Sequence, residues 1–287
     1  MALVALVAPV APAALDAGGS NAVEFVRPAL LPEPSLSRAE MESLQREIAG
    51  DAVFEDDFGF DPAAIQQSTT QQQLDDDTGE SAANSDAPLV AGIDQAFLDD
   101  RAISAVVVLQ GDEVVERTHA VTELSIPYIP GLLAFREGGP IVAALETLDR
   151  EPDLLCFDGS GRIHYRQAGL ATHIGVGFDT PSVGIAKSLL CGEPQESVDG
   201  RPIGWRTPIG ADNSVDCEEG TTIGYAYQSR QYESSNRHIN PLYVSPGHRV
   251  AAETAVDLVA ACGGDYKLPE PTRLADSYAD EIKRELA

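Results

Sequence analysis

The spacing of hydrophobic residues divides the chain into a weakly patterned first third and a strongly patterned remainder. Residues 36–49 place apolar side chains at helical intervals behind two serines that suit an N-cap, which predicts a helix. Residues 64–87 are rich in glutamine, aspartate and serine, a composition typical of disorder. We therefore predict a disordered extension over 1–35, a helical segment over 36–63 and a disordered insertion over 64–87.

From Leu89 onward, apolar runs typical of strands alternate with amphipathic stretches typical of helices. The run SAVVVLQGDEVVERTHAV predicts two strands around a turn at Gly111 and Asp112. The other predicted strands are DLLCFD, PSVGIAK and segments near 203–209, 221–227 and 242–245. The predicted helices are 138–149, 166–178 and 249–262. Strands that alternate with crossover helices predict that residues 88–287 form one α/β domain with a central mixed β-sheet flanked by helices.

The chain is strongly acidic. It holds 46 aspartates and glutamates against 19 lysines and arginines, for a formal net charge of −27, and only three of the basic residues are lysines. Acidic surfaces remain hydrated at very high salt, where ions screen their repulsion, so this composition predicts a halophilic source. An ordinary acidic protein is the alternative. The charge argues against a general nucleic-acid binder, because phosphate contacts usually need a basic surface.

The cysteines and the N-terminal stretch bear on the cellular compartment. None of the four cysteines forms a C-x-x-C pair, and no histidine lies at zinc spacing from them, so we expect reduced, mostly buried thiols. Residues 1–19 are apolar but short and interrupted by prolines, which does not suit a membrane span. A signal peptide is an alternative, although no lysine or arginine precedes the apolar run. We predict a cytoplasmic protein without membrane contact, and a monomer.

Four charged residues stand near the ends of predicted strands. Asp94, Asp158 and Lys187 each end an apolar run, and Glu137 precedes the helix predicted to feed the Asp158 strand. Functional groups gather at the carboxyl ends of strands in α/β sheets. Two neighbouring carboxylates repel each other unless a cation lies between them, and oxygen ligands suit Mg²⁺ or Mn²⁺. The pattern fits metal-assisted phosphodiester hydrolysis, although each acid could instead cap a turn or helix.

Other residues suggest a binding surface near these acids. Tyr128 lies between two prolines in PYIP, where the backbone is stiff and extended. His164 follows a two-glycine turn that allows close approach of a substrate, and it could equally be a loop histidine bonded to backbone. His173 falls in an apolar helix and is predicted to be a core residue. His248 precedes a predicted helix, at a turn that could lie beside the same group of acids.

Several long motifs, in one order, resemble endonuclease V, a family of deoxyinosine-specific repair nucleases. The resemblance covers roughly residues 36–49 and 88–281. Its motifs are PYIPGLLAFREG, LLCFDGSGRIHYRQAGLATHIGV, PSVGIAKSLLCG, YVSPGHRV and YKLPEPTRLAD. The resemblance implies a ribonuclease H-like fold, Mg²⁺-dependent cleavage with Mn²⁺ as a substitute, and DNA containing deoxyinosine or other deaminated bases as the partner. The implied cut is at the second phosphodiester bond 3′ to the lesion.

The resemblance also assigns roles to residues. It implies that Asp94, Glu137 and Asp158 are metal ligands and that Lys187 acts at the scissile phosphate. Tyr128 would be the wedge that enters the strand where the damaged base leaves. The residues implied around that base are Gly131, Leu133, Gly161, His164, Gly169 and His248.

Two alternative functions remain open from the sequence. The same acids would serve a nuclease of this fold that acts on inosine in RNA. A non-catalytic nucleic-acid-binding module is the second alternative, and the complete set of acids argues against it.

Overall fold

Nine strands form one mixed sheet within the described residues, 23–65, 87–233 and 238–287 of this computed structural model. The strands are β1 (Leu89–Leu98), β2 (Arg101–Gln110), β3 (Glu113–Glu123), β4 (Leu154–Asp158), β5 (Ser182–Ala186), β6 (Glu193–Pro194), β7 (Arg206–Gly210), β8 (Thr222–Tyr227) and β9 (Leu242–His248). Their order is β3-β2-β1-β4-β5-β9-β8-β7-β6. Strand β4 runs parallel to β1 and β5, and the other pairs are antiparallel. The predicted mixed sheet is confirmed.

Helices cover both faces of the sheet. They are α1 (Arg38–Asp51), α2 (Leu133–Leu145), α3 (Leu170–Phe178), α4 (Ala252–Ala261) and α5 (Glu270–Leu286). Apolar residues of α1, α2 and α3 pack on one face with Ile93 and Phe157. Apolar residues of α4 pack on the other face with Val183 and Val244. The parallel strands β4 and β5 are therefore buried on both sides, as their continuous apolar sequences require.

Helix α1 forms where the sequence predicts it. Ser37 and Glu40 make a reciprocal capping box: the Glu40 N–H donates to Ser37 Oγ and the Ser37 N–H donates to Glu40 Oε2. This arrangement satisfies two of the free N–H groups at the helix start. The buried face carries Met41 and Ile48, and it also carries the polar Gln45.

Helix α2 begins five residues before the predicted start of 138–149. A helix that began at Gly138 would have Pro140 in its first turn, a position that suits proline. The helix instead continues through Pro140, and its preceding residue, Gly139, has no Cβ to clash with the proline ring. Glu137 consequently lies inside the helix and not before it, on the face that buries Ala134 and Ile141.

Two other helices differ from the sequence prediction. Helix α3 begins at Leu170 and not at residue 166, because Gln167 has a positive φ of 53° and ends helical geometry there. Helix α5 was not among the predicted helices, because its apolar positions are hidden among many charges. These charges form the outer face of an amphipathic helix that buries Ala275, Ala279 and Ile282.

Residues 23–35 are folded, so the prediction of a disordered extension over 1–35 was wrong for this part. Val23, Phe25 and Leu30 join the core. The rings of Phe25 and Phe178 pack edge to face, with their centroids 5.2 Å apart. Residues 1–22 lie outside the described residues. The predicted disordered insertion falls largely on 66–86, which also lie outside them, although Ile65 and Ala87 at its borders are buried.

Two further expectations concern cysteines and membranes. All four cysteines are free, and Cys156, Cys191 and Cys262 are buried, as predicted. In the described ranges, no helix combines the length and apolar character needed to cross a bilayer.

Gly92 fixes α5 against β1. A Cβ at this position would lie 2.0 Å from the Pro271 carbonyl oxygen and 2.7 Å from the Thr272 nitrogen. We expect Gly92→Ala to destabilise the fold by about 1–3 kcal/mol, because the contact is to backbone that cannot move alone. Thermal unfolding checks this. Gly50→Ala is the control, because no atom lies within 4 Å of its added methyl; equal unfolding temperatures for the two variants would contradict the expectation.

Candidate active site

The register of two parallel strands places Asp94 beside Asp158. The last paired residues of β1 and β4 are Ile93 and Phe157, so each aspartate is the next residue along its strand. Asp158 ends β4, as predicted. Asp94 does not end β1, which continues to Leu98 through its antiparallel pairing with β2. The two aspartates are neighbours because of the parallel register, although β1 continues beyond Asp94.

Glu137 reaches the same place from α2. Asp94, Glu137 and Asp158 line one cavity of about 230 Å³, here called the carboxylate cavity, together with Gln95 and Phe97. The structure therefore brings together the three acids that the sequence singled out.

Burial makes negative charge unfavourable in the carboxylate cavity. Burial, followed by the charge of Asp158, raises the pKa of Asp94 to about 8, although the Gln95 N–H donates to its carboxylate. Burial also raises the pKa of Glu137 to about 7, against the opposing effect of Arg136. A cation in this cavity would remove much of the penalty.

Lys187 supplies one positive charge here. It follows β5, and its Nζ donates to Asp158 Oδ2 at 2.5 Å. Burial lowers the pKa of Lys187, but the hydrogen bond and the charges of Asp158, Asp94 and Asp276 outweigh it and raise the pKa. The side chain is therefore a protonated ammonium at neutral pH.

Asp276 is a fourth acid near the carboxylate cavity, and it was not among the site residues predicted from the sequence. It lies on α5, and its charge raises the pKa values of both Asp94 and Lys187. The available signal was the motif YKLPEPTRLAD, which ends on this residue.

The donors fit a hard divalent cation in their chemistry. Among the residues that the structure describes, no three His, Cys, Asp or Glu side chains converge closely enough to enclose a metal as they stand. Asp158 is neutralised by Lys187 in this arrangement. The acids that line the cavity nevertheless present oxygen donors alone, and two of them have raised pKa values. Mg²⁺ and Mn²⁺ take such donors.

A second cavity, of about 290 Å³, adjoins the first and shares Asp158 with it. We call it the Tyr128 cavity. It brings together most of the residues predicted around a substrate, namely Tyr128, Gly131, Leu133, His164 and Gly169, and Lys187 also lines it. The Tyr128 side chain is 63% exposed, so its ring is free to contact another molecule.

Gly161 and Gly169 have a packing reason to be glycine. A Cβ at Gly161 would lie 2.2 Å from the Pro246 carbonyl oxygen, and one at Gly169 would lie 2.3 Å from the Ser160 carbonyl oxygen. Gly169 lines the Tyr128 cavity, whereas Gly161 is absent from its lining. Gly161 therefore allows the loop after β4 to pack closely against β9 and does not itself line the Tyr128 cavity.

The hydrogen bonds of His164 fix its tautomer. Its Nδ1 accepts from the Arg166 N–H at 3.2 Å, so Nε2 carries the proton and donates to the Gly131 carbonyl oxygen at 3.1 Å. Burial, followed by the charge of Arg166, lowers the pKa of His164 to about 4. The ring is neutral and both nitrogens are engaged by the protein. His173 is a buried core residue, as predicted, and donates to the Leu30 carbonyl oxygen.

His248 does not belong to this site, contrary to the prediction. It pairs with Ser182 at the start of β5, whereas Lys187 follows the end of that strand. Its ring is buried, accepts from the Val53 N–H and donates to Asp179. The predicted turn at VSPGHRV was misplaced, because β9 continues to His248 and α4 follows at Ala252. The sequence does not show that this end of β9 lies beside the start of β5, away from Lys187.

Comparisons with known proteins agree with this arrangement. The Endonuclease V family model matches residues 69–277. Endonuclease V of Natronomonas pharaonis is 62% identical over 261 residues, which are 91% of this chain and 98% of the relative. That relative comes from a halophilic archaeon, which agrees with the source predicted from composition.

Solved structures extend the agreement to the fold. The Streptomyces avermitilis endonuclease V structure has a TM-score of 0.69 at 29% identity and covers 92% of this chain and 99% of its own. The Ciona intestinalis endonuclease V, in complex with a 24mer DNA containing an inosine followed by a ribo-adenosine, has a TM-score of 0.63 at 25% identity, with coverages of 87% and 98%. The predicted ribonuclease H-like fold is confirmed, and the chain belongs to the endonuclease V family of nucleases.

Proposed function

We propose that the protein is a Mg²⁺-dependent repair endonuclease that recognises deoxyinosine and other deaminated bases in DNA. It hydrolyses the second phosphodiester bond 3′ to the lesion and leaves the base attached, with a 5′-phosphate on the product. The main support for this proposal is that the carboxylate cavity and the Tyr128 cavity adjoin at Asp158. One cavity suits phosphodiester chemistry and the other suits a base, so a strand that occupies both presents a backbone bond near its lesion.

The acids supply the chemistry of hydrolysis. Asp94, Glu137 and Asp158 would hold Mg²⁺, or Mn²⁺ in its place, with Asp276 adding negative charge from α5. The bound ion would activate water and stabilise the leaving oxygen. Lys187 lines the Tyr128 cavity and donates to Asp158 of the carboxylate cavity, and its ammonium would neutralise charge on the phosphate.

The Tyr128 cavity supports selection of the base. Hypoxanthine pairs poorly, so removing it from the duplex requires less free energy than removing a normal base. The exposed Tyr128 ring would fill the gap and replace lost stacking. Hypoxanthine lacks the exocyclic amine of guanine, and a tight wall that includes Gly131 and Gly169 would exclude that amine.

The test is nicking of a duplex with a single deoxyinosine, in Mg²⁺ and molar KCl, beside the same duplex with guanine. We expect a cut one nucleotide beyond the lesion in the inosine strand alone. Molar salt matches the acidic surface, because counterion release contributes little to affinity there. Equal cutting of both duplexes, or none of the inosine duplex, would contradict the proposal.

A second candidate is cleavage of inosine-containing RNA. The Ciona intestinalis relative was solved in complex with a DNA that contains an inosine followed by a ribo-adenosine, so a ribonucleotide follows the inosine in that complex. The same acids would serve either backbone. The nicking test with a matched inosine RNA separates the two, because cleavage of the RNA alone would favour this candidate.

A further inference from the structure

Gln45 is a buried polar residue on a helix that lies outside the sheet. Its side chain is 0% exposed, on the face of α1 that buries Met41 and Ile48. A polar side chain on an apolar helix face is unfavourable unless its hydrogen bonds are made. Gln45 also lines the Tyr128 cavity.

All the polar groups of Gln45 are used to join two loops. Its Nε2 donates to the Gly131 carbonyl oxygen at 3.0 Å and to the Ala168 carbonyl oxygen at 3.3 Å. Its Oε1 accepts from Arg166 Nε at 2.7 Å. Gly131 belongs to the loop before α2, and Ala168 and Arg166 belong to the loop before α3. These loops frame the cavity, and Gln45 connects them.

The Gly131 carbonyl oxygen is the centre of this connection. Besides Gln45, it accepts from His164 Nε2 at 3.1 Å and has Arg166 Nη2 at 3.4 Å. Gly131 has a φ of +79°, which glycine adopts readily and residues with a side chain rarely do. Because glycine is conformationally free, the hydrogen bonds to its carbonyl oxygen are what hold this peptide in one orientation. Gly131 follows Tyr128 by three residues and lies two residues before the start of α2, which carries Glu137.

We propose that Gln45 is a positioning residue that fixes the Tyr128 loop and thereby sets base discrimination. This inference rests on the proposed function. Gln45 orients the Gly131 peptide, which orients Tyr128 on one side and the start of α2 on the other. The three donors also occupy the Gly131 oxygen, so an exocyclic amine that approached it would find no free acceptor.

Gln45→Met tests the proposal, because methionine keeps the length and removes both donors and the acceptor. We expect kcat/KM for the inosine duplex to fall about 30- to 100-fold, since a displacement near 1 Å is sufficient for such losses. We also expect the preference for inosine over guanine to shrink by about tenfold, because one donor leaves the Gly131 oxygen.

Gln228→Met is the matched control. Gln228 is also 0% exposed, and its Nε2 donates to two backbone carbonyl oxygens, of Arg230 at 2.6 Å and Ile239 at 2.9 Å. It lies just after β8 and does not line either cavity. Gln228→Met should lower the unfolding temperature about as much as Gln45→Met does. It should keep kcat/KM and base preference within about threefold of the unsubstituted protein, since Gln228 lines neither cavity.

Hydrogen exchange measures positioning without any substrate. Peptides that span 126–136 should exchange faster in Gln45→Met and unchanged in Gln228→Met. If the unsubstituted protein cuts neither inosine substrate, the proposed function fails, and faster exchange at 126–136 still supports the positioning role. Unchanged exchange there, or base preference equal to that of Gln228→Met, would overturn it.

Discussion

Asp158→Asn is expected to reduce nicking of the inosine duplex by about 10³-fold or more, while binding of that duplex is retained. Asp158 is the only acid that lines both cavities of the described site, and its charge acts on Asp94 and Glu137. Loss of a group that stabilises charge in the transition state typically removes about 10²–10³ in rate, and loss of a metal ligand adds to that.

Binding should survive because the change removes a negative charge beside a polyanion. The measurement is single-turnover nicking in Mg²⁺, beside equilibrium binding of the same duplex without metal. Asp153→Asn is the control, since Asp153 precedes the other end of β4 and accepts from the Leu89 N–H. Nicking by Asp158→Asn within tenfold of the unsubstituted protein would refute this role.

Stability without divalent metal is expected to fall as the pH rises. Burial raises the pKa of Glu137 from its ordinary 4.5 to about 7 in the folded protein, and the pKa of Asp94 is raised further, to about 8. The folded state therefore holds protons that the unfolded state has released, and unfolding becomes easier as pH increases through this interval. For Glu137 alone the change is about 3 kcal/mol between pH 4.5 and 7, at about 1.4 kcal/mol for each pKa unit.

Denaturant unfolding in EDTA at several pH values measures this effect. Glu137→Gln, a neutral side chain of the same shape, should flatten the pH dependence by about the same 3 kcal/mol. The exposed Glu113→Gln removes one surface charge and serves as the control. A slope that is identical in the two variants would contradict burial of a protonated Glu137.

Added Mg²⁺ should reverse the trend. Ligation requires ionised carboxylates, so the stabilisation by Mg²⁺ should be larger at pH 8 than at pH 6. Mg²⁺-dependent stabilisation that does not change with pH would indicate binding elsewhere on the acidic surface.

The strands and most site residues were predictable because their signals are local. Continuous apolar runs that end in Asp158 and Lys187 indicate buried strands, and these signals do not depend on the rest of the chain. The positions of α2 and α5 were not predictable in this way. Proline is tolerated inside α2 because of the glycine before it, and α5 has an apolar stripe of small residues that its many charges conceal.

The sequence by itself determined an acidic α/β protein, its β-strand segments, its family resemblance and the three acids of the carboxylate cavity. Only the tertiary structure decided which residues meet. It placed Asp94 beside Asp158 through strand register and brought Asp276 near them from α5. It also placed Gln45 within hydrogen-bonding distance of the Gly131 carbonyl oxygen, and His248 beside the start of β5, away from Lys187. Such contacts depend on strand order and on which face a residue occupies, and both are set by packing between segments that are far apart along the chain.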